Sequence, residues 1–127
     1  MKTLKVAIVT GGVLNLVLAL FHIVLCRMIY ASGHTADYYP LMQMLAVAGA
    51  IFIWFLALTS LVFREKLALT PIGCSILLLN VVLYAIRVIG ELVLFPRPKA
   101  VILIGCGLLA ALYAWIFIAA KKLPANA

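Results

Sequence analysis

Acidic side chains are almost missing from this sequence. Asp37, Glu65 and Glu91 stand alone against ten Lys and Arg in 127 residues, a formal charge of +7. An excess of that size in a soluble domain points to nucleic acid. No basic face with interleaved aromatics exists here, and the basic residues sit beside apolar runs, so they read as topology signals and lipid head-group contacts. Cysteine is scarce and unpaired: Cys26, Cys74 and Cys106 include no C-x-x-C, which excludes the paired thiols of a membrane thiol oxidase. No G-x-S-x-G, H-E-x-x-H, phosphate-loop or dinucleotide fingerprint occurs. Charged residues make up only 10% of the chain. That is too few for a water-soluble globule or a disordered segment.

What is present is apolar surface. The hydrophobic fraction is 69% and the mean hydropathy is +1.31. Four apolar runs stand out, at about 6–29, 41–63, 70–94 and 101–120. About 20 helical residues cross the hydrocarbon at 1.5 Å each, and nothing alternates with the period of a strand. The first run is longer than the 7–15 residues of a signal core and contains Asn15 and His22, so it reads as a true span. The breaks carry turn chemistry. Residues 31–40 form the longest loop, with Pro40 opening the second helix. Arg64-Glu65-Lys66 reads as a short charged hairpin, Pro71 lies just inside the third helix, and Pro96 and Pro98 separate the last two. No loop is long enough for a soluble catalytic domain.

The expected fold is therefore all-α: one integral membrane domain over 1–127, a transmembrane four-helix bundle running up-down-up-down. Lys2, Lys5, Arg64, Lys66, Lys121 and Lys122 fall on one side, and Arg27, Arg97 and Lys99 on the other. That bias places both termini in the cytoplasm and the chain in a cell membrane, with a bacterial inner membrane as the expected setting. Tyr30, Tyr38 and Tyr39 at one interface, and Tyr113 with Trp115 near the other, read as aromatic belts.

The informative residues are polar ones inside the spans. Asn80, Tyr84, Arg87 and Glu91 are spaced four, three and four apart, so they share a helical face. Asn15, His22 and Cys26 do the same on the first helix. Counted from the start of each span, Asn15 and Asn80 are nine and ten residues deep, and His22 and Arg87 sixteen and seventeen. Each pair lies within about 2 Å of one depth, so the stripes can face each other. Gln43 enters the second helix at a height comparable with Glu91. The expected site is a polar cluster of His22, Gln43, Tyr84, Arg87 and Glu91 toward the outer face, with Asn15 and Asn80 beneath it.

A planar guanidinium suits a carboxylate, a phosphate or a quinone oxygen, so Arg87 is the expected anion contact and Glu91 its partner. The leading expectation is a multi-pass protein that binds a small polar, anionic or amphiphilic ligand in an outer-facing pocket, as carrier or sensor. The same residues equally suit a helix clasp in an accessory subunit of a larger membrane complex or a homo-oligomer. A small membrane enzyme with His22 and Glu91 as acid and base is the third reading. No cofactor is expected. His22 has no second intramembrane His to share a haem, and no motif supports a metal site with His34 and Asp37. Other small four-helix families differ at their defining residues. The chain lacks the first-helix Glu of the small multidrug exporters, the Gly-rich signature of the fluoride channels, and the cysteine pairs of the quinone-linked thiol oxidases.

Overall fold

The computed structural model describes residues 2–31 and 39–123. All regular structure among them is helical: α1 (Lys2–Ala31), α2 (Tyr39–Val62), α3 (Arg64–Leu69), α4 (Pro71–Leu94) and α5 (Ala100–Lys121). The four long helices are long and apolar enough to cross a membrane.

Local chemistry sets the helix ends. Pro40 sits in the first turn of α2, where its missing N–H has no helical partner to lose. Thr70, with extended backbone, caps α4 by accepting from Gly73 N at 3.0 Å, and Pro71 follows at the first helical position. At the other end Phe95 turns extended, as the ring of the following Pro96 requires. The charged segment expected as a tight hairpin is instead a six-residue helix, α3. The reason lies just beyond the charges. Leu67 and Ala68 are buried in the core, and only a helical turn aims them there while leaving Arg64, Glu65 and Lys66 exposed.

α1 packs along α2, and α4 along α5. The two pairs join where α1 meets α5, and α3 touches all four long helices at one end of the bundle. The core runs from Leu4 and Ile8 of α1 through Leu67 and Ala68 of α3 to Leu77 and Tyr84 of α4. On α5 it continues through Cys106, Leu109, Tyr113, Ile116 and Ala120. Large apolar side chains such as Ile72, Val93, Leu94 and Val101 point outward. In water that surface would drive aggregation; lipid tails are as apolar as leucine and solvate it without penalty.

Close approach of α3 to α4 depends on Gly73. A Cβ there would stand 2.4 Å from Leu67 Cα and 2.5 Å from Lys66 O, both backbone atoms that cannot swing aside. Gly73→Ala is expected to lower stability by about 1–3 kcal/mol, read as an earlier midpoint of unfolding in a detergent titration. At the same end, Lys5 Nζ donates to Glu65 Oε1 at 2.7 Å and ties α1 to α3. This ammonium holds the Glu65 carboxyl below its ordinary value of 4.5. The carboxylate therefore contributes stability at neutral pH, and the contribution disappears as pH falls below 4.5 through the lowered value. Both groups are solvated, so the effect is small; Glu65→Gln should remove this part of the acid dependence of the melting temperature and leave the rest.

Candidate functional site

Polar side chains of the spans gather in two places rather than one. The deeper is a closed network centred on Asn15. Its Nδ2 donates to Asn80 Oδ1 at 2.9 Å and to the Tyr113 hydroxyl at 2.9 Å, while its Oδ1 accepts from the Tyr84 hydroxyl. Asn80 Nδ2 donates to Ile76 O of its own helix at 2.9 Å. All four residues are buried. Tyr84 and Tyr113 stack with ring centroids 6.2 Å apart, and Gly11 leaves the space that the Tyr113 ring fills. Ser60 of α2 is also buried beside Tyr113, with its Oγ outside hydrogen-bond geometry. Helices α1, α4 and α5 are thus joined through one amide, and α2 reaches the same spot.

The second place is the end of α4. Glu91 is 1% exposed. Its Oε1 accepts from Lys99 N at 2.9 Å, which satisfies a backbone donor before the first turn of α5. Its Oε2 lies 2.9 Å from Arg87 Nη1, a charge contact one turn apart on the same helix. The Arg87 guanidinium also lies over the Phe95 ring, 5.9 Å from its centroid. The Arg87 side chain is 41% exposed, so the five-donor fork is only partly enclosed by the bundle.

The five residues expected to form one cluster, and the two expected beneath it, are therefore regrouped. Asn15, Asn80 and Tyr84 meet in the deep network, and Arg87 and Glu91 pair at the end of α4. His22 and Gln43 join neither group. His22 Nδ1 donates to Leu18 O at 2.9 Å, a bond to its own helix, since a carbonyl oxygen only accepts. Gln43 Nε2 donates to Cys26 O at 3.1 Å and so fastens α2 to α1. His22 shares the helical face of Asn15, but two turns away its ring takes the carbonyl one turn back on its own helix.

Tyr113 was expected in an aromatic belt; it is fully buried in the network. Its register with Cys106, Leu109, Ile116 and Ala120 on one face of α5 carries the signal, and a buried tyrosine hydroxyl needs a partner. Lys99 contributes through its backbone, which no side-chain pattern reveals. Among the described residues no three of His, Cys, Asp and Glu stand close enough to hold a metal ion. His34, Asp37 and Tyr38 lie outside the described residues. No family model, curated protein or solved structure matches the chain.

Asn15 is the test of the network. Asn15→Leu removes three hydrogen bonds. At about 0.6 kcal/mol per interhelical bond in a membrane, the expected loss is about 2 kcal/mol, whereas Tyr113→Phe loses about 0.6. Reversible unfolding in mixed micelles separates the two values.

Proposed function

We propose that the chain is a multi-pass protein of a cell membrane, with a bacterial inner membrane as its setting. Its four spans alternate in direction and both termini lie in the cytoplasm. The excess of Lys and Arg at the termini and in the α2–α4 connection supports that orientation. In this reading the end of α4 lies at the outer leaflet, and the protein binds an anionic ligand there, as a carrier or a sensor. The observation that carries the reading is the geometry of Arg87. A buried carboxylate with a second, backbone partner holds one edge of a half-exposed guanidinium, leaving further donors for an incoming oxyanion. Glu91 is then a positioning residue. The Asn15 network and Gln43 hold the bundle around this end and are not part of the contact surface.

An accessory-subunit reading has one observation in its favour. Leu58, Phe55 and Ile51 of α2 are exposed, and α2 packs chiefly on α1 and α3. A partner helix could cover that face.

Native mass spectrometry of protein released from mild detergent distinguishes them. The wild type is expected to carry a discrete anionic adduct, and Arg87→Ala to lose it while its melting temperature stays within a few degrees. If binding falls only in proportion to stability, Arg87 is a structural clasp and the subunit reading replaces this one.

A further inference from the structure

A groove of about 680 Å³ runs between α1 and α5. Leu14, Val17, Leu18 and Phe21 form one wall, and Val101, Ile102, Gly105, Leu108 and Leu112 much of the other. From Val101 to Leu112 the groove extends about 16 Å along the helix, about half of the roughly 30 Å hydrocarbon thickness. It is thus one leaflet deep.

Its upper end is electrostatically marked. Lys99 O accepts from Ile102 N at 3.0 Å, so Lys99 stands directly above a groove residue, and Lys99 N reaches Glu91. Cys106 lines the groove too, and Glu91, held by Lys99 N, pairs with Arg87 at 2.9 Å. Exposed Arg97 and Lys99 lie in the α4–α5 connection beside the Arg87–Glu91 pair, and Glu91 is the one acid among the described residues at this end. An apolar slot one leaflet deep beneath a net positive end is complementary to one kind of molecule.

We propose that the ligand is an anionic phospholipid of the outer leaflet, with one acyl chain in the α1–α5 groove and its phosphate at Arg87 and Lys99. This rests on the reading of Arg87 as an anion contact and adds the tail site. Gly105 gives access to a test, because it lines the groove and a Cβ added there meets nothing within 4 Å, so a larger side chain starts from open space.

The experiment uses the full chain, delipidated in mild detergent and titrated with phosphatidylglycerol or phosphatidylcholine of identical chains, with bound lipids counted by native mass spectrometry. Melting curves confirm that each variant is folded. The wild type is expected to prefer phosphatidylglycerol, and Arg87→Gln to reduce that preference about fivefold while keeping some binding of both lipids. Gly105→Phe is expected to weaken binding of both lipids and to leave the remaining preference intact. If Arg87→Gln acts and Gly105→Phe does not, the tail site is overturned and the anion contact survives. If Arg87→Gln leaves the preference unchanged, the anion contact itself fails, and this proposal with it. A concentration-dependent dimer that Gly105→Phe abolishes would make the groove an interface between two copies and overturn the lipid assignment.

Discussion

One carboxamide holds the bundle together. The Asn15 side chain spends both donors and an acceptor on three partners from α4 and α5, deep among apolar side chains. In water such bonds exchange for bonds to solvent and contribute little. Inside a bilayer the separated helices also find other partners, so each bond is worth only about 0.6 kcal/mol, but no water is at hand to satisfy a group left out of place. The network therefore specifies which helices meet, and at what height, more than apolar packing does. Leucine against leucine is no better than leucine against a lipid tail.

Much of the remaining geometry follows from that junction. Gly11 admits the Tyr113 ring, whose hydroxyl reaches Asn15; a Cβ at Gly11 would lie 2.8 Å from it. Tyr84 stacks on Tyr113 and reaches the same amide from α4. One turn beyond Tyr84 on the same stripe stands Arg87, and one turn further Glu91. The deep network thus fixes the rotation of α4 that turns the Glu91 carboxylate inward toward the backbone of Lys99 and leaves Arg87 half outside. The separation of roles has a simple physical basis. The uncharged amide and hydroxyls occupy the deep position, where an ion would be most expensive. The ion pair occupies the last two turns of α4, where a long side chain can reach polar surroundings.

Legibility in the sequence varied residue by residue. Helix positions followed directly from run length and proline placement, because a 20-residue apolar run has few other stable forms. The pairing of Arg87 with Glu91 followed from their spacing of four, and the common depth of Asn15 and Asn80 from counting rises. His22 was harder. Its spacing from Asn15 puts it on a similar face, yet its ring is tied to Leu18 O, an acceptor that every helix offers one turn back. Tyr113 was hidden by its type: a tyrosine near a span end resembles an interfacial anchor until its neighbours on the helix face are known. Ser60 and the Lys99 amide gave no signal at all.

Sequence by itself determined that this chain is helical, that its long helices match a bilayer, and which polar residues share a face of each one. Those properties depend on composition and on the 3.6-residue period, both local. Only the tertiary structure decided which faces meet. In a soluble bundle the apolar stripe would have marked the interior of every helix. In this chain the outward faces are as rich in large apolar side chains as the core, so hydropathy does not distinguish a neighbouring helix from lipid. The choice rests on a few hydrogen bonds between residues 65 to 98 positions apart, and on glycines whose value appears only when another chain segment lies against them.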